Sequence, residues 1–200
     1  MKVLVAGWLA GGAFIVLISV LLAETVAKPV EPSGATTAGS SSAASGSVSP
    51  GAAVSIIVPV LGIAASQLRD NFDQVRGGGR IHHAIDIMAP HGTPVVAAVD
   101  GTIQKLFNSK AGGITIYQFD QAEARVYYYA HLARYAAGMA EGLFVKQGTV
   151  IGYVGVTGNA APDAPHLHFS IEVLPPTKEW WKGIPLNPFP LLTRRASVLP

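Results

Sequence analysis

The chain has 200 residues, 50% hydrophobic and 13% charged, with 22 Gly, 14 Pro and no Cys. This length allows one domain of ordinary size, the apolar fraction excludes a wholly disordered chain, and the lack of Cys excludes disulfides and thiolate chemistry. A formal charge of +2, carried by scattered basic residues, predicts no nucleic-acid partner.

The N-terminal residues 3–23 carry no charge and would form a helix about 31 Å long, which matches the hydrocarbon core of a bilayer. We predict that residues 1–27 form an uncleaved membrane anchor. The alternative is a cleaved secretory signal, because Ala27 is a small residue at a plausible cleavage point. Lys2 precedes the apolar stretch, so the positive-inside rule places the rest of the chain outside the cytoplasm. The domain is then held at the cell membrane on its periplasmic or wall side, or is secreted.

Residues 28–53 are mostly Ser, Ala, Gly, Thr and Pro, with too few large apolar side chains to form a core. We expect a flexible linker with a mean end-to-end distance of about 25 to 30 Å. Beyond it, we predict a β-rich domain over residues 54–183 and a Pro-rich C-terminal tail over residues 184–200.

The domain is predicted to be all-β because short runs rich in Val, Ile, Thr and Tyr are separated by Gly and Pro. We predict one short helix over residues 64–75 and a two-residue hairpin turn at Asp100-Gly101, which tolerates positive φ angles. The strand spacing predicts an antiparallel sandwich or open barrel. The predicted strands cover residues 85–88, 94–99, 102–107, 114–119, 125–132, 149–154 and 166–173.

The last of these strands alternates polar and apolar residues. Successive side chains of a strand point to opposite faces, so His166 and His168 share one face while Leu167 and Phe169 share the other. The two backbone positions lie about 6.6 Å apart, so one imidazole can bind a metal while the other acts beside it. A lone His-x-His pair is more often solvated strand surface, and it needs support from other residues.

His82 and Asp86 provide that support. On a straight strand they would lie about 13 Å apart, too far to share one ion. The three glycines at 77–79 let the backbone bend, so we expect His82 in a turn folded back towards Asp86 at the start of a strand. Taken alone, Asp86 is equally well explained as an exposed carboxylate between two buried isoleucines, with no metal-binding role.

His131 is a third candidate and lies at the end of the aromatic run at 127–131. Alternation along a strand places Tyr127, Tyr129 and His131 on one face. The alternative is an aromatic core strand that ends in a hydrogen-bonded His. With one His of the 166/168 pair, His82 and Asp86 make three metal ligands, which leaves a fourth tetrahedral position for water. Zinc in such a site promotes amide hydrolysis without a protein nucleophile, and the remaining imidazoles must handle the protons.

Two further histidines, His83 and His91, match none of these positions, and we predict that both are surface or loop residues. Arg80 and Asn71 precede the metal motif and are left outside the site, because a charge beside a Gly loop is more often simply solvated.

These motifs resemble the lysostaphin-type, or LytM-like, zinc endopeptidases that cut peptidoglycan peptides. The resemblance covers about residues 56–173. Its motifs are His-x-x-x-Asp at 82–86, Tyr-Ala-His-Leu at 129–132 and His-Leu-His-Phe at 166–169.

The resemblance implies that one Zn²⁺ is bound by His82, Asp86 and His168. It implies that His131 and His166 serve as general base and transition-state stabiliser. It also implies an antiparallel β fold of the duplicated hybrid motif type.

Two functions follow from the resemblance. The first is a zinc metalloendopeptidase that hydrolyses peptide bonds of the bacterial wall, with peptidoglycan as substrate and the membrane as partner through the N-terminal segment. The second is a non-catalytic LytM-like module that binds the wall or activates another wall hydrolase. The complete ligand set favours the enzyme. A biotin- or lipoyl-type carrier would need a modifiable Lys at a hairpin tip, and Asp100-Gly101 occupies the clearest tip.

Overall fold

The computed structural model describes residues 55–194. The predicted anchor at 1–27 and linker at 28–53 lie outside these residues. Within the described part of the chain, no helix has both the length and the apolar character needed to cross a bilayer.

The described residues form one antiparallel sheet of nine strands, with two short 3-10 turns and one α-helix, α1 (Phe189–Thr193). The predicted all-β antiparallel class is therefore confirmed. The strands are β1 (Ile85–Met88), β2 (Pro94–Val96), β3 (Gly101–Ser109), β4 (Gly113–Asp120), β5 (Arg125–Tyr135), β6 (Phe144–Val145), β7 (Val150–Val154), β8 (His166–Val173) and β9 (Ile184–Leu186).

Strand β5 connects the two parts of the sheet. Over residues 125–130 it pairs with β8, and its other edge pairs with β4. From Leu132 to Tyr135 it pairs with β7, which in turn pairs with β2. His131, with a φ of 60°, lies where β5 changes partner. One strand thus links the β8 side of the sheet to the β2–β7 pair.

The core is a cluster of apolar side chains contributed by both parts of the sheet. A buried polar chain beside it is satisfied internally: the Tyr129 hydroxyl donates to Gln118 Oε1 at 2.6 Å and accepts from the Ala98 amide at 2.9 Å. Buried polar groups destabilise a core unless they are paired, so this network fixes β4 against β5. Fully buried members of the cluster include Ile87, Val95, Ile116, Ile151, Leu167 and Phe169.

The predicted hairpin at Asp100-Gly101 is wrong. Strand β2 pairs with β7, and β3 pairs with β4 and β6. The Asp100 carboxylate accepts hydrogen bonds from the Gln147 amide and the Lys146 ammonium group, at 2.8 and 2.9 Å. Gly101 lies within β3, where a Cβ would come within 1.9 Å of the Phe119 carbonyl oxygen. A close approach of two strands, and not a tight turn, requires the glycine.

The predicted helix at 64–75 is also wrong, since this segment contains only a 3-10 turn at Ala65–Gln67. Leu68 is buried, whereas Val75 is 65% exposed, so the segment has no continuous apolar face to stabilise a helix. The Asp70 carboxylate accepts a hydrogen bond from the Phe72 amide, and such local bonds compete with helical ones.

The Pro-rich stretch that follows residue 183 packs on the domain as far as the structure describes it. Strand β9 pairs with β8, and Leu192 of α1 is part of the core cluster. Up to Arg194, this stretch therefore belongs to the β-domain, because Leu192 is buried in the core and neighbouring apolar side chains pack against it.

Candidate metal centre and active site

The strand register places two site residues side by side. In the β1–β8 pair, Asp86 lies opposite His168 and Met88 lies opposite His166. Alternation along β8 then turns both imidazoles to one face, while Leu167 is fully buried on the other. The predicted pairing of His166 and His168 on one face is confirmed.

His82 reaches the same face from a hairpin that precedes β1. Val75 pairs with Ile81 across a turn made by Gly77–Gly79, and the His82 amide donates to the Gln74 carbonyl at 2.9 Å. The predicted fold of His82 back towards Asp86 is confirmed, because their side chains are in contact.

Three ligand atoms converge. His82 Nε2 and His168 Nδ1 lie 3.0 and 3.2 Å from Asp86 Oδ1, and the two nitrogens lie 3.0 Å apart. The three side chains are 4%, 12% and 22% exposed for His82, Asp86 and His168. Two imidazole nitrogens and one carboxylate oxygen that meet in this way form a set that can hold a metal ion.

Backbone carbonyls orient three of the imidazoles. In each ring Nδ1 lies against a carbonyl oxygen, which only accepts, so Nδ1 carries the proton and Nε2 is unprotonated in the neutral ring. The pairs are His82 with Asn71 at 3.0 Å, His131 with Thr157 at 2.8 Å and His166 with Ala164 at 2.7 Å. Hydrogen bonds from a ring N–H to a carbonyl oxygen fix the tautomer and direction of metal-binding histidines.

The donor chemistry fits zinc. Asp86 Oδ1 only accepts hydrogen bonds when ionised, so its close approach to two imidazole nitrogens requires a proton or a metal ion among the three atoms. Burial lowers the pKa of His168, although Asp86 opposes that shift, and the proton is therefore disfavoured. A set of two nitrogens and one carboxylate oxygen is typical of catalytic zinc, which keeps one position open.

The carboxylate remains ionised. Burial alone would raise the pKa of Asp86, but the hydrogen bonds and the electrostatic effect of the His168 and His82 side chains outweigh it and hold the pKa well below its usual range. An ionised oxygen is what a metal ligand requires.

The two remaining predicted residues lie beside this group. The His131 ring centre is 4.9 Å from that of His166 and 5.6 Å from that of His168, and His166 Nε2 lies 3.7 Å from Asp86 Oδ1. Burial lowers the pKa of His131 to about 4, despite its hydrogen bond to Thr157. All five predicted site residues thus line one cleft of about 720 Å³. Their individual roles stay predictions.

The predicted face of the aromatic run is wrong in one respect. Tyr127 and Tyr129 are buried in the core, whereas Tyr128 lines the cleft together with His131. Simple alternation would separate Tyr128 from His131. The left-handed φ of His131 interrupts the alternation and turns its imidazole to the cleft side.

The exclusion of Asn71 from the site is wrong, Arg80 lines the cleft, and Arg76 was missed altogether. Besides its carbonyl contact to His82, Asn71 accepts a hydrogen bond from the Asp86 amide through Oδ1, at 3.2 Å. Arg76 forms an ion pair with Asp86. The register of the 75–81 hairpin, which places Arg76 on the face of His82, is the signal that would have found it. His83 and His91 are exposed, as predicted.

The amino-acid sequence around this site matches those of known peptidases. Residues 80–188 match the sequence profile of Peptidase family M23. The chain is 38% identical over 110 residues to the DD-carboxypeptidase/endopeptidase Mpg of Neisseria meningitidis serogroup B, covering 54% of this chain and 22% of that protein. It is 34% identical over 121 residues to the L-Ala–D-Glu endopeptidase of Bacillus subtilis, covering 58% of this chain and 36% of that protein. The chain therefore spans only about a fifth to a third of the length of these relatives.

A solved structure with a similar fold is the catalytic domain of the antimicrobial peptidase lysostaphin from Staphylococcus simulans. The TM-score is 0.54 at 29% sequence identity, and the match covers 64% of this chain and 92% of that domain. The β-domain thus has a lysostaphin-like fold.

Proposed function

The chain belongs to Peptidase family M23, which confirms the LytM-like resemblance, and from this premise we propose that it is a zinc metalloendopeptidase that hydrolyses peptide bonds of bacterial peptidoglycan. The observation that carries the proposal is the convergence of His82, Asp86 and His168 beside two further imidazoles in one cleft. The endopeptidase names of the relatives support the same reaction class.

In this proposal His82 Nε2, Asp86 Oδ1 and His168 Nδ1 hold the ion. When bound, zinc supplies Lewis-acid chemistry: it polarises a carbonyl group and makes water a nucleophile near neutral pH. The Asn71 carbonyl holds the His82 ring so that its Nε2 lone pair stays directed at Asp86.

His131 is the proposed general base. Its Nδ1 proton is held by the Thr157 carbonyl, which leaves Nε2 to accept a proton from the attacking water. Because burial lowers the pKa of His131 to about 4, the ring is neutral, and so able to accept a proton, at neutral pH. Its place beside His166 and His168 keeps it within the cleft where the substrate carbonyl must enter.

His166 is the proposed stabiliser of the negative charge that develops on the carbonyl oxygen. Its Nδ1 proton is already donated to the Ala164 carbonyl, so only a protonated Nε2 can donate to that oxygen. The role therefore requires His166 in its doubly protonated form. Asp86 Oδ1 lies 3.7 Å from His166 Nε2.

The experiment that tests this function incubates the purified full chain with peptidoglycan sacculi, with and without a chelator, and identifies the released fragments by mass. We expect peptide-bond cleavage that chelation abolishes and added zinc restores. The fragment masses identify the bond, since the two relatives are named for different ones. Equal release with and without the chelator would refute a metal-dependent enzyme, and no release by the zinc-loaded chain would refute hydrolysis. His91→Ala, outside the cleft, is the matched control for purification and handling.

The proposed substrate also implies where in the cell the domain acts. Peptidoglycan lies outside the cytoplasm, so we propose that residues 1–27 export the domain and hold it at the membrane, or release it after cleavage. Fractionation of cells that express the full chain tests this, with N-terminal sequencing of the recovered protein. Recovery of the intact chain in the cytoplasm alone would contradict it.

A further inference from the structure

Arg76 and His82 lie diagonally across the hairpin that precedes β1. The pairing of Val75 with Ile81 places Arg76 opposite Arg80, and the Arg76 amide donates to the Arg80 carbonyl at 2.7 Å. Since side chains alternate along each arm, those of Arg76 and His82 share one face as diagonal neighbours. The hairpin thus delivers a guanidinium and a metal-binding imidazole to the cleft together.

The guanidinium contacts Asp86 and covers His82. Arg76 Nη2 forms an ion pair with Asp86 Oδ2 and lies 3.1 and 3.2 Å from the two ring nitrogens of His82. A position equally distant from both nitrogens in the ring plane would collide with Cε1, so Nη2 lies over the face of the imidazole. The in-plane lone pair of His82 Nε2 remains free for an ion.

The two oxygens of Asp86 therefore have different partners. Oδ1 faces His82 and His168 at 3.0 and 3.2 Å, whereas Oδ2 faces Arg76. The Asp86 side chain is 12% exposed and that of Arg76 is 34% exposed, so the ion pair is partly shielded from water. Charge-assisted hydrogen bonds of this kind are strong enough to hold a carboxylate in one orientation.

We propose that Arg76 is a positioning residue that reserves Asp86 Oδ1 for the metal and keeps Oδ2 out of the coordination sphere. This inference rests on the proposed metal centre. A carboxylate binds a metal through one or both oxygens, and the second oxygen would occupy the position that substrate needs. By holding Oδ2, Arg76 limits Asp86 to one bond and leaves the centre open.

The coordination number of bound Co²⁺ tests this role, because its visible absorption bands are intense in four-coordinate sites and weaken when a fifth ligand binds. The full chain is loaded with Co²⁺ as wild type, Arg76→Gln and Arg76→Lys, and metal content is measured with each spectrum. We expect one ion per chain in all three, a marked loss of band intensity in Arg76→Gln, and recovery of intensity in Arg76→Lys, whose ammonium group replaces the single contact to Oδ2.

Arg80→Gln is the matched control, since Arg80 lies opposite Arg76 on the same face and also lines the cleft, so this variant removes the same charge while leaving the Arg76–Asp86 contact in place. Its spectrum is expected to equal that of the wild type. An unchanged spectrum for Arg76→Gln would overturn the positioning role, even if the affinity for the ion rises, because the guanidinium would then act only as a repelling charge. A wild-type chain that takes up no Co²⁺ would instead overturn the proposed metal centre and this inference with it. Near-UV circular dichroism of each variant establishes that the fold is retained.

Discussion

His131 donates its Nδ1 proton to the Thr157 carbonyl oxygen at 2.8 Å, and the hydroxyl of the same threonine ties two neighbouring segments together. That hydroxyl donates to the Leu132 carbonyl at 2.7 Å and accepts from the Ile114 amide at 3.0 Å. Thr157 therefore sets both the direction of the imidazole and the course of the strand that carries it.

Replacement of Thr157 by valine is expected to lower the free energy of unfolding by about 1 to 3 kcal/mol, because the Ile114 amide loses its partner in a half-buried place. Wall hydrolysis should fall as well, because the backbone carbonyl of residue 157, which holds the His131 ring, is no longer fixed in place by the hydroxyl. Urea unfolding and fragment release measure the two effects. Thr157→Ser keeps the hydroxyl and is expected to behave nearly as the wild type. Equal losses in both variants would contradict the role of the hydroxyl.

Gly158, which follows Thr157 in the chain, is not expected to tolerate a side chain. Gly158 has a φ of 75°, and a Cβ there would lie 2.3 Å from the Ala111 carbonyl oxygen and 2.3 Å from the Gly113 amide nitrogen. The left-handed conformation alone costs alanine about 1 to 2 kcal/mol. Because the Cβ also collides with backbone atoms, Gly158→Ala should lower the free energy of unfolding by well over that amount. Gly138 has a φ of 77° and open space around its Cβ position among the described residues. Thermal unfolding of Gly138→Ala therefore isolates the conformational cost, and equal destabilisation by the two variants would refute the collision.

Lowering the pH is expected to reduce the free energy of unfolding of the metal-free domain, because His131 becomes protonated in the unfolded chain. Burial lowers the pKa of His131 to about 4 from an ordinary value of 6.5, so between these values the unfolded chain binds a proton that the folded chain does not. Stability is then fully present above pH 6.5 and is lost as the pH falls towards 4, by no more than about 3 kcal/mol. Burial lowers the pKa of His168 as well and acts in the same direction. Asp86 contributes only at lower pH, because its pKa is held below its usual range.

Unfolding by urea at several pH values, with chelator present, measures this dependence. His131→Asn is the appropriate variant, since asparagine tolerates a positive φ and its amide can donate to Thr157. The wild type should lose more stability than this variant between pH 6.5 and 4. Parallel curves would mean that His131 titrates normally.

Removal of a metal ligand should abolish zinc binding and wall hydrolysis together. In Asp86→Ala and His168→Ala two protein ligands remain, which is too few for a stable catalytic zinc site. Elemental analysis should find well under one zinc per chain, and sacculi should release no fragments. His91→Ala, at an exposed position outside the cleft, serves as the control. Full activity without the ligands would end this mechanism.

The sequence predicts best where a rule of local geometry holds along a straight strand. His166 and His168 share a face because β8 alternates without interruption. The same rule misplaces His131, since one left-handed residue reverses the direction of its side chain. The turn rule fails at Asp100-Gly101 because long-range pairing of β3 with β4 overrides a local preference. Arg76 escapes detection for a similar reason: its partner, Asp86, is defined by hairpin register and not by spacing.

Three of the five imidazole and carboxylate groups in the cleft take their orientation from main-chain oxygens at positions 71, 157 and 164. A main-chain acceptor exists whichever amino acid occupies the position. The protonation pattern of the histidines is therefore encoded in the path of the polypeptide, and a side chain at these three sites matters only where it holds that path, as the Thr157 hydroxyl does. Relatives are free to diverge there and still inherit the same arrangement of lone pairs, provided that the loops keep their course.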